Sequence, residues 1–155
     1  MSYLSNLLPK ENIILDVNLT SKKRILDEAG LIFEKSLRIS RGKIFKAFIE
    51  REKIGSTALG NGIAIPHGRI DKIQRSTAAF IRSLKPVSFD ATDDKPVSIF
   101  FFLIVPSNAN MLHLQILSEL SQVFSNGSVL EKIRLSKDPQ NIFEIFSDWE
   151  KYAEG

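Results

Sequence analysis

The chain has 155 residues, 43 % of them hydrophobic and 25 % charged, with a formal net charge of +3. That length suits one domain, and that mixture excludes a disordered tail or a collagen-like repeat. The absence of cysteine excludes disulfides, thiolate metal sites and thiol nucleophiles, and the longest purely apolar stretch, 99–105, is far shorter than the ~20 residues of a membrane helix.

Residues 1–17 lack a basic segment followed by a long apolar run, so no signal peptide is expected and a cytoplasmic location is. The apolar run at 13–15 suits an edge strand. Thr20 and Ser21 then offer N-caps for a helix reaching about Arg38, with Ile25, Leu26, Ala29, Ile32, Phe33 and Leu37 on one stripe. Ser40 caps a second helix in which Ile44, Ala47, Phe48 and Glu52 follow the helical spacing of one face, and Gly55 stops it. The period then changes. Gly60, Asn61 and Gly62 form a turn, 63–65 a short buried strand, and Pro66-His67-Gly68 a break at its end.

Residues 76–84 and 97–105 read as strands, the second (SIFFFLIV at 98–105) so apolar that both its faces must be covered. Pro106 ends it, and Ser107 or Asn108 caps a helix to about Phe124 that Asn126-Gly127 closes. A short helix at 129–135 follows, and Asp138-Pro139 opens the last one with cap and N1 proline in order. Helices lying between apolar strands imply an α/β fold: a single domain over 1–155, with a mixed β-sheet of about five strands sandwiched between helices.

Charge is spread unevenly, residues 1–75 holding 14 Lys and Arg against 8 Asp and Glu. Such a half attracts an acidic partner or a phosphate, or is simply a solvated basic face. A nucleic-acid-binding module built on the basic helix 41–53 is one alternative. Its residues Ile44, Phe45, Ala47, Phe48 and Ile49 claim that surface for the core, so no nucleic-acid partner is expected.

The two histidines sit in different settings. His67 lies between Pro66, which fixes the backbone and lacks an N–H, and Gly68, whose small size lets another molecule's surface approach. A neutral imidazole in such a place can attack phosphorus, given cations or N–H donors around the oxygens. Arg51 at the end of its helix matches phosphate oxygens bidentately. The hydroxyls of Ser56 and Thr57, and the turn N–H groups of Gly60, Asn61 and Gly62, are further candidate donors. His113, in the first or second turn of its helix, is either a core histidine or a donor reaching toward a phosphate near His67. Neither histidine has a second histidine or a carboxylate at metal-ligand spacing, so no metal and no cofactor is expected.

The block REKIGSTALGNGIAIPHG at 51–68 resembles the active segment of the fructose/mannitol-type IIA domains of the bacterial phosphoenolpyruvate:sugar phosphotransferase system. The likeness is strongest to the stand-alone nitrogen-regulatory IIA proteins. It extends to PVSFD at 86–90, DKPV at 94–97, Val105-Pro106, and His113-Leu114 with Leu117 after it. The resemblance implies a mixed sheet sandwiched by helices, a phosphoryl group carried on His67 through Nε2, and Arg51 and His113 holding its oxygens. It implies an HPr-like phosphocarrier protein as donor, docking over the Gly-rich rim, with no metal or nucleotide. Some sugar-specific members carry a glutamate six residues before the nucleophile, where this chain has Asn61. Two roles share this chemistry. In a regulatory phosphocarrier of the nitrogen/potassium type, the two forms control targets such as sensor kinases or transport regulators. In a sugar permease, a IIA component passes phosphate to a separate IIB protein.

Overall fold

An apolar ten-residue strand, β6 (Val97–Pro106), runs through the middle of the molecule and is buried at every position except Ser98, which is half-buried. The structure is a computed structural model and describes residues 2–153. Six strands form one mixed sheet, ordered β1-β5-β6-β3-β2 with β4 also paired to β6. Strand β1 (Ile13–Val17) lies at the edge parallel to β5 (Thr77–Val87), which is antiparallel to β6. Along the other side of β6 run β3 (Ile63–Ala64) and β4 (His67–Ile70), both parallel to it, and β2 (Ala58–Gly60) closes the sheet antiparallel to β3.

Successive side chains of β6 enter two separate cores. Ile99, Phe101, Leu103 and Val105 pack with α3 (Met111–Ser125), α4 (Gly127–Leu135) and α5 (Pro139–Ser147). Phe100, Phe102 and Ile104 pack with α1 (Lys22–Leu37) and α2 (Arg41–Ile54). Helices on both faces explain why this strand reads as a continuous apolar run rather than an alternating one.

The caps follow from the sequence. The side chains of Ser21, Ser40 and Asp138 accept hydrogen bonds from the backbone N–H groups of Arg24, Lys43 and Asn141. Two helix starts differ. Helix α3 begins at Met111 rather than after Ser107 or Asn108, because residues 106–109 make a turn, Ala109 N–H donating to the Pro106 carbonyl at 3.0 Å. Helix α4 begins at Gly127, two residues early, since Asn126 both ends α3 and caps α4 through Val129 N–H. The strand β2 and the short helix α6 (Trp149–Tyr152) carry too few residues to show a period.

The larger correction concerns Pro66-His67-Gly68, expected to break the chain at the end of a strand. Pro66 lacks a donor, but its carbonyl accepts from Leu103 N–H at 2.9 Å, so the ladder on β6 passes the proline and resumes as β4. His67 therefore opens a strand, opposite Leu103.

Phe102 is fully buried and meets Phe48 of α2 edge-on at 5.6 Å between ring centroids. Phe102→Ala is expected to cost about 3–5 kcal/mol, read as a fall in the urea midpoint; a loss under about 1 kcal/mol would show that β6 and α2 do not depend on this contact.

Candidate active site

Three elements bring the site together. Helix α2 packs its Ala47 against β4, and Gly68 makes that possible, because a Cβ there would lie 3.1 Å from Ala47 Cβ and 3.3 Å from its carbonyl carbon. The small residue thus admits a neighbouring helix of the same chain, and Gly68 also lines the cleft described below. Arg51, in the last turn of α2, is thereby carried over the start of β4. Its Nη1–H donates to the Gly55 carbonyl at 2.8 Å and its Nε–H to His67 Nε2 at 3.2 Å. From β6, the turn after Pro106 delivers His113 in the first turn of α3, with its ring centroid 5.4 Å from that of His67.

The hydrogen bonds select one form of the His67 ring. The Ile65 carbonyl, 2.7 Å from Nδ1, can only accept, so Nδ1 carries the proton. Arg51 Nε–H points at Nε2, which must then hold a lone pair. A proton on Nε2 would face another N–H. The neutral ring is also favoured electrostatically: burial is the main cause that holds His67 below the ordinary imidazole value of 6.5, the charges of Arg51 and Arg69 add to it, and the Ile65 hydrogen bond and the Glu52 charge oppose it in part. Burial likewise lowers His113, followed by the neighbouring His67, Arg69 and Arg51. His113 is 8 % exposed, and its Nδ1 is buried without a hydrogen-bond partner among the described residues.

Arg51, His67, Arg69 and His113, with Ala47, Glu50, Ile54 and Gly68, line a cleft of about 380 Å³. Arg69 is the residue that sequence reasoning missed. It follows His67 by two along β4 and so shares its face, a relation invisible while 66–68 is read as a break. Its Nη1–H groups bond the carbonyls of Ser107, at 3.2 Å, and of Ala109, which fastens the turn before His113 to the strand of His67.

The other candidate donors lie elsewhere. Ser56 donates to the Phe89 carbonyl at 2.6 Å, and Thr57, buried, donates its hydroxyl to Glu52. Gly60, Asn61 and Gly62, all with positive φ, turn the chain between β2 and β3. The Gly62 carbonyl accepts from Ser98 and Ile99 N–H, whereas His67 stands opposite Leu103. At ~3.3 Å per residue that turn is roughly 15 Å along β6 from His67. Asn61 N–H is held by Asp93 at 3.1 Å. Among the described residues, no group of three or more His, Asp or Glu could hold a metal ion, and no helix is long and apolar enough to cross a membrane.

A family profile described as "Phosphoenolpyruvate-dependent sugar phosphotransferase system, EIIA 2" matches residues 6–149. The chain belongs to this EIIA type-2 family. Among its relatives is a nitrogen regulatory protein of Klebsiella oxytoca, 35 % identical over 146 residues, which are 94 % of this chain and 90 % of that one. A fructose-specific EIIA component of Haloferax volcanii is 32 % identical, over 94 % and 95 % of the two chains. The crystal structure of nitrogen regulatory protein IIA-Ntr from Neisseria meningitidis superposes with a TM-score of 0.89 at 43 % identity, covering 94 % of this chain and 99 % of that one. The EIIA type-2 fold thus accounts for the mixed sheet and its helical layers.

The lowered histidines carry a sign for stability. Between their folded values and 6.5 the unfolded chain binds more protons than the native one, so stability rises with pH through that window. Their contribution is complete above 6.5 and is lost as pH falls toward the folded values. Urea midpoints should drop between about pH 7.5 and about pH 5, less so in a His67→Gln, His113→Gln double variant. A drop in the parent no larger than that in the double variant would show that the imidazoles are not held neutral.

Proposed function

We propose that this chain is a cytoplasmic phosphoryl carrier that takes the group on His67 Nε2 from the phosphohistidine of an HPr-like protein. The observation that carries the reading is the Nε2 lone pair, presented to an open cleft beside a guanidinium while Nδ1–H is tied to Ile65. As Nε2 attacks, the donor's P–N bond breaks and its electron pair returns to the donor ring; the phosphoryl group passes between nitrogens without water or nucleotide. The acceptor ring gains positive character, which the Ile65 carbonyl stabilises through Nδ1–H. Arg51 turns its N–H groups from Nε2 to the phosphoryl oxygens, each charge-assisted bond contributing about 1.5–3 kcal/mol. Arg69 adds a second cation at the cleft, and His113, with its unpaired Nδ1, is placed to orient an oxygen.

Docking of the donor is supported by apolar exposure at Ile54, which lines the cleft, and at the sequence neighbours of His113. Ile54 is 83 % exposed, and Met111, Leu112 and Leu114, which flank His113, are 68, 46 and 60 % exposed. An apolar rim around a cationic centre suits a protein partner that brings a phosphate.

Downstream, we read the chain as regulatory, its phospho and dephospho forms binding different targets such as sensor kinases or transport regulators. The relatives named nitrogen regulatory protein support this. The fructose-specific relative supports a second reading, a sugar IIA component feeding a separate IIB protein. Efficient transfer of label from the phosphoprotein to a IIB protein would favour that second reading over the first.

On incubation with phosphoenolpyruvate, enzyme I and an HPr-like carrier, mass measurement of peptides should find one phosphoryl group, on His67. His67→Ala should keep the fold and take up none; loading of another residue would overturn the reading. Arg51→Ala should slow uptake about 100-fold, as loss of an oxyanion donor does; normal uptake with a large fall in melting temperature would make Arg51 a structural residue.

A further inference from the structure

Glu52 is a buried carboxylate next in sequence to Arg51, yet it does not line the cleft. Burying a charge is costly, and an apolar residue of similar size usually packs at least as well. Its contacts show what it holds instead. Oε1 accepts from the Thr57 backbone N–H at 3.3 Å and pairs with Lys22 Nζ at 3.1 Å; Oε2 accepts the Thr57 hydroxyl. Lys22 is itself fixed, paired to Asp90 at 3.3 Å and lying 4.6 Å over the Phe89 ring.

Two hydrogen-bond routes lead from the loop so held to the reacting groups. The Thr57 carbonyl accepts from Ile65 N–H at 3.0 Å, and the Ile65 carbonyl accepts from His67 Nδ1–H at 2.7 Å. Two residues earlier in the loop, the Gly55 carbonyl accepts from Arg51 Nη1–H at 2.8 Å, which aims Nε–H at His67 Nε2. We infer that Glu52, acting through Thr57, is the positioning residue of the transfer site, setting the tautomer of His67 and the aim of Arg51 together. The inference rests on the carrier function proposed above. It assigns Thr57 to orientation rather than to contact with phosphate. Neither residue touches the phosphoryl group, so their loss should leave docking of the donor intact and slow the step after it.

Thr57→Val keeps the branched shape and removes the hydroxyl. It is expected to melt cooperatively while ¹⁵N spectra of the resting protein show His67 sharing its proton between both ring nitrogens. Its maximal rate of phosphorylation by an HPr-like carrier should fall about tenfold, with the donor concentration at half-maximal rate changed by less than about twofold. Thr57→Ser, which returns the hydroxyl, should recover both readouts. Glu52→Gln should move them in the same direction as Thr57→Val, and it decides the matter if Thr57→Val does not fold. A folded Thr57→Val with the parent tautomer and the parent rate overturns the inference. If the parent protein takes no phosphoryl group on His67, the carrier function falls, and the tautomer alone decides whether Glu52 positions the ring.

Discussion

The backbone ladder along β6 is the constraint from which the site follows. Its register places His67 opposite Leu103, and its end at Pro106 leads through one turn to His113. The two rings meet because one strand governs the start of β4 and the start of α3. Alternate side chains of that strand anchor α2 on one face and α3 on the other, so Arg51 and His113 reach the same ring from opposite layers. A fully buried strand is a stiff reference, and phosphoryl transfer needs one, since small displacements of the reacting groups cost large factors in rate.

The electrostatics of the cleft meet two demands at once. A nucleophilic imidazole must be neutral, while the group it accepts is anionic and needs cations. Surrounding a ring with guanidinium groups serves both, because the positive charge that disfavours an imidazolium also favours a phosphate. Burial acts in the same sense on the ring and strengthens each contact to the oxygens. Glu52 sits just outside this arrangement, paired with Lys22, so its hydrogen-bonding geometry is available while its charge, which still reaches the His67 ring, is partly offset.

Much of the fold was legible in the sequence because its signals are local. Ser21, Ser40 and Asp138 cap the helices they announce, and the unbroken apolar run at 99–105 reads as a strand covered on both faces. The convergence of Arg51, His67 and His113 was legible only through the resemblance of a whole segment, since no spacing rule brings together residues on a helix end, a strand start and a distant helix. What stayed hidden depends on tertiary partners. The continuation of the sheet beyond Pro66 relies on a donor from Leu103, and without it the side chain of Arg69 could not be placed beside His67. The turn at 106–109, which delays α3, relies on Arg69 holding its carbonyls. Gly68 looked open because its neighbour Ala47 is contributed by another element.

The segment 51–68 therefore mixes two kinds of residue that sequence likeness alone does not separate. Three consecutive residues with positive φ need the glycines of Gly60-Asn61-Gly62, and the hydrogen bonds described for that turn go to groups of the same chain. Asp93 accepts from Asn61 N–H, Arg134 donates to the Asn61 carbonyl at 2.5 Å, and Gly62 joins β6. Such a turn sets the register of β3 on β6, and a slip of one residue would send Ile63 and Ala64 to the wrong cores. The same slip would carry β4 with it and move His67 away from Leu103. A glycine-rich turn can thus govern the placement of His67 from a distance, because the register of β4 on β6 is set by the strand before it.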